Sequence, residues 1–164
     1  MNKVFIFCLS LFSGLISGAQ TQNPILWTAV YKSISATEGE IHVTAIIEKN
    51  WHTYSQRPNE AIPIPTQFTF ATSKNYELIG KTEESGAIEE FDKAFDAKIF
   101  VFNEKAEFKQ KIKLTGKPGF VLPFKVEFIC CNDMMCLPPK TVDLSVKVQW
   151  KNYSIFTFLN PQIP

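Results

Sequence analysis

The stretch TVDLSVKVQW alternates without a break: Val142, Leu144, Val146, Val148 and Trp150 fall on one side, and Asp143, Ser145, Lys147 and Gln149 on the other. A period of two is that of an extended strand with one face buried, and such a strand needs neighbours to satisfy its backbone N–H and C=O groups. The pattern recurs. EIHVTAIIEK aligns Ile41, Val43, Ala45 and Ile47; AEFKQKIKL aligns Ala106, Phe108, Ile112 and Leu114 against lysines and a glutamate. LWTAVYKSI, TQFTFAT, YELIGKT, AKIFVFN, KVEFIC and YSIFTF read as further short strands, separated by loop segments such as ATEGE, GKPG and RPNEAIPIPT. Nowhere does a long amphipathic helix appear. The one helical turn expected lies around SGAIEEFDKAF. About nine strands at this spacing predict an all-β, immunoglobulin-like β-sandwich, with a closed barrel as the alternative.

The N-terminus reads differently. MNKVFIFCLSLFSGLISGAQ has one lysine ahead of a short apolar run, then Ser17 and Ala19 at the small-residue positions of a signal-peptidase site. Residues 1–19 are therefore expected to be a signal peptide, Cys8 included, and residues 20–164 a single exported domain of periplasmic type. No later segment is apolar enough to span a membrane. With 17 Lys+Arg against 16 Asp+Glu, the charge gives no reason to expect nucleic acid as a partner. No cofactor is expected.

Most of the chemistry-bearing residues gather in FICCNDMMCLPPK, Phe128 to Lys140. Strand parity places Val126, Phe128 and Cys130 on one face, and Lys125, Glu127, Ile129 and Cys131 on the other. Cys130 then points into the core as a small hydrophobe, while Cys131 ends the polar face. Cys136 follows after NDMM, and Leu137-Pro138-Pro139 forces an extended exit. The expectation is a short hairpin loop with a Cys131–Cys136 bridge across its neck. Three chemistries fit such a bridge. As a staple, a ring of about six residues stabilises by only about 2 kcal/mol, little for a domain large enough to fold without it. As a Cu(I) site, the thiolates with Met134 and Met135 are soft donors, but no zinc-type Cys/His spacing is present and His42 and His52 are remote in sequence. As a redox centre, the pair would exchange with partner disulfides. The loop holds no positive charge, and Asp133 would raise nearby thiol pKa values.

CNDMMCLPPKTVDLSV resembles the active-site hairpin of the N-terminal periplasmic domain family of the thiol:disulfide reductase DsbD. KNWHTYSQ and IPIPTQFTF extend the resemblance upstream, over roughly residues 25–150. It implies an immunoglobulin-like sandwich whose cysteine pair takes electrons from a membrane-embedded partner and passes them to periplasmic thiol-disulfide proteins. Carried over by position, the pair is Cys131 and Cys136; the family's usual spacing is one residue longer and would instead recruit Cys130. The family's aromatic cap loop falls on EEFDKAFDAKIF, so Phe91 or Phe95 is the expected lid. Trp51, His52 and Tyr54 occupy the positions beside the cysteines. The membrane and thioredoxin-like domains of the full-length reductase have no counterpart here, which implies a separate membrane electron donor. The remaining alternatives are a non-enzymatic binding module with a structural disulfide and a Cu(I)-handling protein.

Overall fold

A computed structural model describes residues 23–61 and 64–149, and the backbone of 154–156. The expected leader, with Cys8, and Trp150 lie outside the described residues. The strands are β1 (Ile25–Ser33), β2 (Glu38–Ile47), β3 (His52–Tyr54), β4 (Gln67–Phe70), β5 (Tyr76–Ser85), β6 (Ile88–Asp92), β7 (Ala97–Asn103), β8 (Lys105–Leu114), β9 (Phe120–Phe128), β10 (Cys130–Cys131), β11 (Lys140–Val148) and β12 (Ser154–Phe156). They form a five-stranded sheet in the order β12-β1-β2-β8-β5, a three-stranded sheet β11-β9-β4 and a four-stranded sheet β10-β3-β7-β6. All pairings are antiparallel. Among the described residues each sheet keeps open edges, so the architecture is a sandwich and not a closed barrel.

The nine strands expected from alternation are all present; β3, β6 and β10 are additional and short. The inward faces are those that the period predicts. Ile41, Val43, Ala45 and Ile47 on β2, Ala106, Phe108, Ile112 and Leu114 on β8, and Leu144, Val146 and Val148 on β11 are buried. Between the five- and three-stranded sheets, Trp27 stacks on Phe108 at 5.8 Å and meets Phe128 at 5.1 Å, while Phe68 lies 4.9 Å from Phe108. The buried aromatics among these, Trp27, Phe108 and Phe128, each contribute about 1.5–3 kcal/mol. Gly39 is required by this packing. A Cβ there would lie 2.3 Å from Tyr31 Cε2, so the tyrosine ring covers bare backbone.

One polar residue shares the inward face of β8. Gln110 is buried, but its amide donates to the carbonyls of Ile79 and Lys111 and accepts from Thr82 Oγ1. These bonds fill the register break between Ile79 and Glu83 on the facing edge strand, so a bulge and a buried amide satisfy each other.

The helical turn expected around SGAIEEFDKAF is absent. Ile88–Asp92 is a strand paired with β7, from Ile88 opposite Val101 to Asp92 opposite Ala97. Its turn, residues 93–96, closes because the Asp92 carboxylate accepts from the N–H groups of Ala94 (2.8 Å) and Phe95 (3.2 Å). Asp96 then takes the left-handed conformation, φ 50°, which Asp tolerates better than most residues. Hydrogen bonding by an acidic side chain wins over local helical spacing.

Candidate functional site

The site begins where a strand changes partners. β9 pairs with β4 as far as Glu127 and with β11 as far as Phe128; two residues later β10 pairs with β3, Cys130 opposite Thr53 and Cys131 opposite His52. Thr53 Oγ1 donates to the Ile129 carbonyl at 2.7 Å, holding the crossing residue in place. The two adjacent cysteines therefore face different interiors. Cys130 packs in the large core with Phe128 and Trp27, whereas Cys131 belongs to a small cluster with Tyr54, Ile99, Val101 and Ile129. Burial, and then the charge of Glu48, push the Cys130 thiol up to about 12.

Cys130 is a free, buried thiol, and Cys131 is bonded to Cys136. Parity placed Cys130 correctly. The expectation that Cys131 ends an open polar face is corrected: Cys131 is 0% exposed. Lys125 and Glu127 are on that face, but beyond them β3 and β7 cover it. Cys136 is half-buried, so the two sulfurs differ in access.

The loop between them is a tight hairpin. Asn132 N donates to Met135 O and Leu137 N to Cys130 O, each at 2.9 Å, so Cys131 and Cys136 face each other as a non-hydrogen-bonded pair with Cα atoms 4.0 Å apart. That pair type brings side chains closest and suits a cross-strand bridge. Asn132 Oδ1 accepts from the N–H groups of Met134 and Met135, while both methionine side chains are exposed.

The turn joining β6 and β7 lies over this hairpin. Phe95, half-buried, packs with the Cys131 cluster and meets the Tyr54 ring edge-on at 5.6 Å. Phe91 points outward and is 58% exposed. Of the two candidate lid residues, Phe95 is the one against the cysteine cluster. Two polar ties hold the turn. Inside, Asp92 Oδ2 accepts from Tyr54 Oη at 2.6 Å and from His52 Nε2 at 3.0 Å. Outside, Lys93 Nζ lies 2.8 Å from Asp133 Oδ2 of the cysteine loop. The loop does meet a positive charge, delivered from the β6–β7 turn, and each partner's pKa moves in the direction favouring its charged form.

Burial alone would push the Asp92 carboxyl up, but hydrogen bonds from Tyr54, Ala94, Phe95 and His52 outweigh it and hold the group below its ordinary value. The Tyr54 phenol is pushed up, first by burial and then by its bond to Asp92. His52 and Tyr54 both lie beside the cysteines, His52 opposite Cys131 and Tyr54 in the same cluster. Asp92 and Lys93 were not singled out in the sequence; the available signal was an Asp opening a four-residue turn.

Residues 25–147 match the family model described as thiol:disulfide interchange protein DsbD, N-terminal. Among solved structures, the fold is similar to the reduced DsbD N-terminal domain of Neisseria meningitidis, with TM-score 0.51 and 11% identity over 79% of this chain and 90% of that one. It is also similar to the N-terminal periplasmic domain of ScsB from Proteus mirabilis, with TM-score 0.55 and 12% identity over 77% of this chain. The chain spans only 47% of that ScsB structure. A third similarity is to a structure of the complex between the DsbD and PilB N-terminal domains of N. meningitidis, with TM-score 0.50, 12% identity and coverage of 85% and 89%. No curated protein matches the chain.

Proposed function

The chain belongs to the family of the DsbD N-terminal domain, a thiol–disulfide relay domain, and from that premise we propose that Cys131 and Cys136 are its redox couple. In this reading residues 20–164 form one exported periplasmic domain that acts as a protein-disulfide reductase component. A separate membrane protein supplies electrons, and other periplasmic thiol-disulfide proteins receive them. Cys136, the more accessible sulfur, attacks the partner disulfide; Cys131 then attacks Cys136 Sγ and releases the partner reduced.

The observation that carries the reading is the disulfide's setting. It lies on a hairpin beneath Phe95, with one half-buried and one fully buried cysteine, beside a large core that gains little from so short a ring. Such cover makes reaction depend on a partner that displaces the lid.

The test is equilibration with glutathione buffers of graded potential, with alkylation and peptide mass analysis. A reversible Cys131–Cys136 couple in the range of about −270 to −180 mV is expected. A bridge still closed below about −300 mV would make it a structural staple and end the carrier reading.

A further inference from the structure

We propose that His52 carries the proton that Cys131 loses when the disulfide closes and regains when it opens. The proposal rests on the Cys131–Cys136 carrier reading and adds a catalytic group to it. Three observations support it. His52 and Cys131 are directly paired across β3 and β10, so their Cβ atoms stand about 4.5–5.5 Å apart on the same face. His52 Nε2 is 3.0 Å from both Asp92 Oδ2 and Tyr54 Oη. Asp92, already accepting from Tyr54, has only acceptor capacity to offer, which places the proton on Nε2 and leaves Nδ1 with a free lone pair. A carboxylate orienting an imidazole so that its other nitrogen can take a proton from a nucleophile is a recurrent catalytic arrangement. Finally, His52 reaches solvent where Cys131 does not. It lines a small cleft of about 60 Å³ with Asp92, Lys93, Val101, Asn132 and Asp133, room enough for water.

Chemical need favours the same assignment. Cys131 must become a thiolate to attack, yet it is fully buried, and burial pushes the thiol of the adjacent Cys130 far above neutrality. In the closing step Cys131 Sγ–H passes its proton to His52 Nδ1. The sulfur attacks Cys136 Sγ of the mixed disulfide, the Cys131–Cys136 bond forms, and the partner leaves as thiolate. The imidazolium then releases its proton to water in the cleft. In the opening step, a reductant thiolate attacks Cys136 Sγ, Cys131 leaves, and His52 returns the proton. The other titratable groups facing the ring or lining its cleft are Tyr54, Glu90, Asp92, Lys93 and Asp133.

The reduced mature protein is mixed with an aromatic disulfide whose released thiolate absorbs visible light. A first burst reports attack by Cys136, and a second reports closure by Cys131. His52→Gln keeps a hydrogen-bonding side chain but cannot shuttle a proton. We expect its first burst unchanged and its second slowed about 100-fold at neutral pH, with the two proteins converging at alkaline pH. An unchanged second burst across pH overturns the proposal while leaving the carrier reading intact. If the wild type gives no second burst at all, the carrier reading itself fails. Should the variant not fold, the wild type still decides: deuterated water is expected to slow the second burst alone, and equal slowing of both, or of neither, overturns the assignment.

Discussion

Cys130 and Cys131 are neighbours in the chain, both buried, and they belong to interiors built in different ways. The interior around Cys130 lies between sheets and is filled by Trp27, Phe68, Phe108 and Phe128. The one around Cys131 is small, with Tyr54, Ile99, Val101 and Ile129 buried beside it, and its roof is a four-residue turn tied down by one buried carboxylate and one exposed ion pair. Depth is equal; cover is not. A thiol under two layers of sheet is inert, whereas a sulfur under a turn is reachable once the turn moves.

The sharpest way to break this comparison is to exchange the fates of the cysteines. Cys136→Ser is expected to abolish two-electron exchange completely, and Cys130→Ala to leave it intact, both scored by alkylation after redox equilibration. Activity lost in the Cys130 variant alone would show that the cores are not separate. Next in size, Phe128→Ala should cost about 3–5 kcal/mol in urea melts as a core truncation. Phe95→Ala, at the half-buried residue of the β6–β7 turn, should cost about 1–2 kcal/mol while speeding reduction of the disulfide by small thiols if the turn is a lid. Equal destabilisation with no gain in reactivity would mean that Phe95 is ordinary core.

Asp92→Asn probes the inner tie. It weakens several hydrogen bonds to a buried group, at a cost of about 1–3 kcal/mol at neutral pH. Because the folded-state pKa of Asp92 is held below its unfolded value, its stabilisation is fully present above the ordinary carboxylate range and is lost as pH falls through the folded value. Thermal melts of variant and wild type should therefore converge toward acid pH; a gap constant from pH 7 to 2 would sink this account. Lys93→Ala is the smallest change. Stability should be unaltered, and reduction by small thiols modestly faster at low salt, the difference vanishing at high salt.

Much of the fold was legible because alternation is a local signal. β2, β8 and β11 bury the predicted faces, and Cys130 lies where parity put it. The same rule misplaced Cys131, since parity says which way a side chain points but not what another part of the chain lays over it. The ties that hold the β6–β7 turn were hidden for a related reason. Asp92 stabilises a turn through N–H groups two and three residues ahead, yet its partners Tyr54 and His52 lie 38 and 40 residues away. His52 was legible as a neighbour of the cysteines; its pairing with Asp92 was not.

The bridge is local in the chain and its cover is not. Cys131 and Cys136 are five residues apart, while Lys93 and Asp133 are separated by 40. The ring is thus available to the chain before tertiary structure forms, since short loops close far faster than distant segments meet. An oxidised but unfolded chain keeps the bond and lacks the roof, leaving its sulfur open to any thiol it encounters. On the proposed carrier reading, discrimination between partners belongs to the folded state, in which residues 93–96 settle over a hairpin that can already be closed.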